Sequence, residues 1–243
     1  MKARLSKEPE KNIFEGFSSN LFKFLVNLEK HNSVDWFHKN RDNYQKFLVE
    51  PAKGFIKDMA PFFNQINPSI RTEPKFNETI MRLNKDMRFA KGDPYRAFLL
   101  IHFGRFKMDS EFFLFFEPDD YELGFFINNC TGDNLYFKQN LSRYKKEIID
   151  VCKRYKINGN YSFYELHDPS NQVKKFDAEK HYQKLEETEH IILHLNKKPT
   201  LKKLYSSDII PEMMKMVTNI YPLYCFAISP QPLTELQRFE ENF

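Results

Sequence analysis

The spacing of apolar residues changes once along this chain, near Ile80, and that change does most to limit what it can fold into. Before it, apolar positions recur at helical intervals. Leu21, Phe24, Leu25 and Leu28 mark a first helix, capped by Ser18 or Ser19 and ending near His31-Asn32. Ser33 then caps a second helix bearing Trp36, Phe37, Tyr44, Phe47 and Leu48, which Glu50-Pro51 closes. A third starts at Ala52, with Phe55, Ile56, Met59 and Phe62 or Phe63 on its buried side, and Pro61 ends or kinks it. After Ile80 the apolar runs are short and bounded by turn residues. Ile80 to Asn84 reads as a strand, Lys85 to Tyr95 as a charged connection, and Arg96 to Phe106 as a long strand apolar on both faces, which places it centrally in its sheet. Phe112 to Phe116 and Tyr121 to Ile127 form a hairpin about Pro118-Asp119-Asp120. The Phe112 to Phe116 aromatics are expected in the core.

Helical spacing returns in Leu141 to Tyr155, closed by Asn158-Gly159-Asn160, and His167 to Asn171 reads as a surface loop. Ala178 to Glu187 reads as a charged helix, His190 to Leu195 as a strand, and Asp208 to Tyr221 as the last long helix, with Pro211 tolerated in its first turn. The expected class is α+β: an amino-terminal helical layer packed on an antiparallel sheet, with further helices towards the carboxyl terminus. Residues 1–12 are charged and have no apolar period, so they read as a flexible tail, and residues 13–243 as one domain.

Charge is unevenly placed. From Arg71 to Lys107 there are nine Lys and Arg against four Asp and Glu, so this stretch alone exceeds the net charge of +4 carried by the whole chain. The cations crowd the connection as Arg82, Lys85, Arg88, Lys91 and Arg96, opposed there only by Asp86 and Asp93. A guanidinium offers a planar fork and an ammonium a mobile point charge, and both suit phosphate or carboxylate oxygens. Asp86, between Lys85 and Arg88, is placed to hold the cations in position. The same cations can instead pair with Asp86, Asp93, Glu73 and Glu78 or lie solvated.

Other constellations are weaker. Trp36 is the only Trp, and with Arg41 it offers a stacking ring beside a cation; its neighbours Phe37, Tyr44 and Phe47 point instead to packing. His190 and His194 share a helix-like spacing, but in a strand their Cα atoms stand roughly 13 Å apart, too far for one ion. Asp86, Asp93, Glu117 and Asp119 carry no fixed metal motif. Cys130, Cys152 and Cys225 lack zinc-ligand spacing and are odd in number, so neither a zinc site nor a disulfide framework is expected, and no cofactor is expected either. There is no P-loop, dinucleotide fingerprint, GxSxG elbow or HExxH. No apolar run approaches the roughly 18 to 20 residues of a membrane span, and the start MKARLSKEPEKN is unlike a signal peptide, so the expected setting is cytoplasmic, with no membrane partner.

Several stretches carry a family likeness: Phe14-Glu-Gly-Phe-Ser18, FLVNLEKHNSVDWFHKNRDNYQ from Phe24 to Gln45, Pro51, Arg82-Leu-Asn-Lys-Asp86-Met-Arg88-Phe89, Pro94-Tyr95-Arg96 and Tyr221-Pro-Leu-Tyr224. Together they resemble the "domain of unknown function 2461" family of conserved hypothetical proteins. His31 stands where the family has a first Asn, and the link from Phe89 to Pro94 is one residue shorter. The resemblance implies a shared fold and draws attention to the Arg82 to Arg96 segment, and it implies no chemistry.

The function expected from the residues is binding of an anionic, phosphorylated ligand, either a small molecule or nucleic acid, by Arg82, Lys85, Arg88 and Arg96 with Asp86 orienting them. Alternatives are a metal-assisted phosphoester hydrolase using Asp86 and Asp93, and an interaction module whose basic segment meets an acidic partner protein.

Overall fold

A computed structural model describes residues 14–89 and 91–243. The tail expected over residues 1–12 lies outside the described residues. The fold is α+β, with amino-terminal helices, a six-stranded antiparallel sheet in the middle and carboxyl-terminal helices.

Helix α1 spans Ser19–Lys30 and α2 spans Val34–Lys39. The Ser33 hydroxyl accepts the Trp36 amide at 3.3 Å, the cap its position predicts. The chain then departs from the expected stop at Glu50-Pro51. It runs through α3, Arg41–Tyr44, and a π-helical turn, Gln45–Val49, straight into α4, Glu50–Ile66. Pro51 falls at the start of α4 directly after the π-helical turn, and Pro61 stays inside the helix. The buried faces of α1 and α4 put Leu21, Leu25, Leu28, Phe55, Ile56, Met59 and Phe63 against the sheet core.

The sheet comprises β1 Leu99–Phe103, β2 Glu111–Phe116, β3 Tyr121–Asn128, β4 Tyr161–Glu165, β5 Asp168–Val173 and β6 His190–Leu195, in the order β1-β2-β3-β6-β4-β5. The Phe112 to Ile127 hairpin and the His190 to Leu195 strand form at the expected places. Three expectations fail. Arg96 to Phe106 does not form a long central strand; only Leu99–Phe103 is regular, and it lies at the sheet edge. Its outer side is covered by residues 79–84, which lie alongside it through the Met81 amide to the Leu100 carbonyl and the His102 amide to the Thr79 carbonyl, 3.0 Å each. Ile80 to Asn84 forms isolated bridges rather than a full strand, and β1 is apolar on both faces because Leu99, Ile101 and Phe103 join the helix-side core while Leu100 packs with Phe113, Phe126 and Ile192 on the other face. The expected loop at His167 to Asn171 is largely edge strand β5, whose exposed, Pro-bearing sequence gives no burial pattern.

Further along, Leu141 to Tyr155 divides at Tyr144 into α5, Phe137–Arg143, and α6, Lys145–Arg154. Only Tyr182–Glu187 of the Ala178 to Glu187 segment is helical, as α7. After α8, Leu201–Leu204, helix α9 runs from Ile209 to Ile228, past the expected end at Tyr221 and through Pro222, and α10 covers Pro232–Asn242. Among the described residues no helix is long and apolar enough to cross a membrane.

The sheet has two unlike faces. Ile101, Phe103, Phe112, Leu114, Phe116, Leu123, Phe125 and Leu193 alternate onto the face that joins the helices in the main core. Phe113, Phe126 and Ile192, with Leu100, Phe115 and Tyr164 packed around them, form a separate cluster on the other face. Of the Phe112 to Phe116 aromatics, Phe112, Phe113 and Phe116 are buried as expected, Phe113 in this second cluster, and Phe115 is half-buried against it.

Candidate functional site

The Lys85 to Tyr95 connection stands on a rigid base. The Asn32 side chain both donates to the Tyr95 carbonyl, at 2.9 Å, and accepts its amide, at 3.0 Å. The Tyr95 ring stacks on Phe37 with centroids 4.2 Å apart. The Lys85 amide donates to the Pro94 carbonyl at 2.9 Å, and Arg96 braces both limbs, its Nη1 reaching the Asn84 carbonyl at 2.8 Å and the Arg82 carbonyl at 3.4 Å. Residues of three stretches that carry the family likeness thus meet at one junction.

Beyond that base the chain turns sharply. The Phe89 amide bonds the Asp86 carbonyl at 3.0 Å, and Asp86 Oδ1 accepts the Arg88 amide at 3.1 Å, a local use of Asp that sets the turn. The same carboxylate grips the Arg88 guanidinium in a fork, Nε at 3.0 Å and Nη2 at 2.7 Å. Their bonding holds the Asp86 carboxyl below its ordinary range and raises Arg88. Asp86 therefore orients Arg88, as its position suggests, and both are exposed. Arg82 and Lys91 are exposed and Lys85 half-buried, and among the described residues no carboxylate comes within ion-pair reach of them. Glu73 and Glu78 are taken by Lys75 and Arg71 instead. At the tip Phe89 is 86% exposed, with Met87 beside it and the Arg88 guanidinium over its ring at 5.5 Å.

The cations are on an exposed turn, and two clefts of the surface are lined by other residues. Of the secondary candidates, Trp36 packs half-buried on Phe24, 5.5 Å between ring centroids, and beside His31, while Arg41 is exposed on α3. Both Asp86 oxygens are occupied by Arg88, and Asp86, Asp93, Glu117 and Asp119 join no three-ligand cluster among the described residues.

A cleft of about 330 Å³ lies on the helix-free face of the sheet between Phe98, Leu100, Phe113, Phe115, Phe126 and Ile192. His102 and Glu111 close one end; His102 Nδ1 approaches Glu111 Oε2 to 2.9 Å off the hydrogen-bond line, and Arg71 meets the other Glu111 oxygen at 3.4 Å. Tyr164, another lining residue, donates to Glu122 at 3.1 Å, and Glu122 stands 3.5 Å from His194, whose other ring nitrogen meets Gln172 at 2.6 Å. These residues carry no local sequence signal. They are gathered by strand register alone.

That cluster titrates. Burial lowers the His194 imidazole from its ordinary value near 6.5 and raises the Glu122 carboxyl. A depressed histidine contributes stability that is complete above pH 6.5 and falls as acidification protonates it more readily in the unfolded chain. Glu122, raised, acts with the opposite sign at lower pH. Wild type should lose stability from pH 6.5 downward, and His194→Gln should flatten that limb; denaturant melts across pH 5 to 7.5 check this, and an unchanged limb in the variant would assign the loss elsewhere.

The comparisons agree with the likeness noted in the sequence. No curated protein and no solved structure matches the chain. A family model described as "Conserved hypothetical protein (DUF2461)" matches residues 20–226, which takes in α1, the braced connection, the whole sheet and most of α9. The chain belongs to the DUF2461 family of conserved hypothetical proteins.

Proposed function

We propose that this protein binds an anionic, phosphate-bearing ligand through the turn at residues 82–96. Arg82, Lys85, Arg88 and Lys91 contact phosphate oxygens, Asp86 keeps Arg88 in place, and Arg96 braces the turn from below. The observation that carries the reading is an exposed Phe89 beside Arg88, which Asp86 grips, with Arg82, Lys85 and Lys91 on the same segment free of acidic partners among the described residues, on a base held by Asn32, Tyr95 and Arg96. An exposed turn of this form favours an extended ligand, such as a single strand of nucleic acid, because a ring can stack a base while neighbouring cations follow the backbone. A small phosphorylated molecule or an acidic protein segment would use the cations and leave the ring idle. The unit that acts is residues 13–243, supported by one continuous core from Phe14 to Phe239, and three free cysteines suit a cytoplasmic setting.

The test is affinity for a short single-stranded oligonucleotide and for a panel of small phosphorylated compounds, at two salt concentrations. Removing Arg82 and Lys85 together should weaken strand binding and reduce the salt slope by about 0.7 for each phosphate no longer neutralised. Phe89→Ala should weaken the strand and leave the small phosphates unchanged. Asp86→Asn should weaken binding, although it removes a negative charge. Tighter binding by Asp86→Asn, or an equal loss at the distant Lys107→Ala and at Arg88→Ala, would mean that only bulk charge is at work.

A further inference from the structure

A second constellation lies away from the basic turn, where the β4–β5 hairpin meets the start of β6. Leu166 and His167 form the two-residue turn between β4 and β5, with Glu165 and Asp168 paired across it. The Leu166 amide bonds the His190 carbonyl at 2.9 Å, which sets His190 beside that turn. Side-chain ligand atoms of Glu165, His167 and His190 lie within 4.8 Å of one another. We propose that these three residues bind one divalent first-row metal ion, and that its donor set selects zinc.

The chemistry of the donors points that way. Two imidazoles and one carboxylate form a recurrent three-ligand zinc set, and hard cations such as magnesium or calcium favour oxygens throughout. Zinc–nitrogen bonds of about 2.0 to 2.1 Å at a tetrahedral angle put two donors roughly 3.4 Å apart. The cluster needs only to tighten to reach that spacing, and His167, exposed on its turn, is free to move inward.

An independent observation is the state of Glu165. Its Oε2 is buried and has no hydrogen-bond partner among the described residues. A carboxylate oxygen sealed from water without a donor is costly, and a cation at this point would satisfy it. The surroundings favour positive charge as well: the adjoining cleft is lined by Glu165, Asp168, Glu187 and Glu189, with Lys184 as its one cation.

The histidine spacing along β6 hides the site. His190 and His194 cannot share an ion on a strand, and the partners of His190 come instead from the hairpin beside it. Three protein ligands leave a coordination position open, the form taken by zinc sites that bind water or a substrate atom. Cys130 Sγ is 3.7 Å from His190 Nε2, so a thiol borders the site without joining the three mutual neighbours.

The experiment uses the full chain carrying Cys130→Ser, so that a thiol cannot supply the binding. Zinc titration against a competing chelator is expected to show one ion per chain, and cobalt(II) in its place to show the absorption of a low-coordinate nitrogen and oxygen site. Zinc should also raise the melting temperature. His167→Ala, at an exposed turn where folding is not at risk, and Glu165→Gln should each abolish these responses, while His194→Ala should retain them. No zinc binding in the starting chain, unchanged binding in His167→Ala and Glu165→Gln, or loss of binding in His194→Ala would each overturn the proposal.

Discussion

Asp109→Ala should destabilise the protein by about 3 to 5 kcal/mol, because it leaves a largely buried guanidinium without its counter-charge. Asp109 is fully buried and accepts three bonds from Arg105, from the backbone amide at 3.0 Å, Nε at 2.8 Å and Nη2 at 2.9 Å, which hold the connection between β1 and β2 closed. The guanidinium also reaches the Ile228 carbonyl at the end of α9 and the Asn134 carbonyl, 2.9 Å each. One ion pair thus joins the sheet, the β3–α5 segment and the end of α9. Removing the carboxylate keeps the two carbonyl contacts and strands the charge. Urea melts should show a lower midpoint with an unchanged slope, and the melting temperature should fall on the order of 10 °C. Asp109→Asn, which retains an acceptor oxygen, should lose less. A wild-type midpoint for Asp109→Ala would show that the segment rearranges to solvate Arg105, and the joining role would be wrong.

Gly16→Ala should cost about 2 to 4 kcal/mol, from two independent sources. Gly16 has φ of 119°, a conformation L-residues avoid, and an added Cβ would meet the backbone of Tyr205 and Ser206, with the Tyr205 oxygen at 2.6 Å. Backbone cannot swing aside as a side chain can. The close approach exists because the Phe17 amide bonds the Leu204 carbonyl at 3.0 Å, which seats Phe14 and Phe17 on Phe55 and seats Phe17 against Phe116. Gly92→Ala is the matched control: it also has positive φ, 85°, but an added Cβ there meets nothing within 4 Å. It should cost only about 1 kcal/mol, the conformational part alone. Equal losses at the two positions would mean that packing against Tyr205 and Ser206 contributes nothing.

The amino-terminal helices were legible because each buries one face, and burial of one face imposes a period on the residues; the Phe112 to Ile127 hairpin, buried largely on both faces, was legible from its short apolar runs about Pro118-Asp119-Asp120. The place of β1 was not. An edge strand with apolar clusters on both faces of its sheet is as apolar as a central one, so Leu99 to Phe103 reads the same in either place. β5 escaped for the opposite reason: exposed from Asp168 to Asn171 and carrying Pro169, it has only Val173 at its end as an apolar strand residue and no alternation to read.

Local sequence by itself determined the class of fold, the Ser33 cap, the turn set by Asp86 and the bond from Asp86 to Arg88, all of which depend on residues a few positions apart. Only the tertiary structure decided that Asn32 holds Tyr95, that Arg105 reaches Ile228 and that His190 meets Glu165 and His167. Those meetings depend on strand order and register, which are set by the packing of the whole core, and no spacing along the chain encodes them.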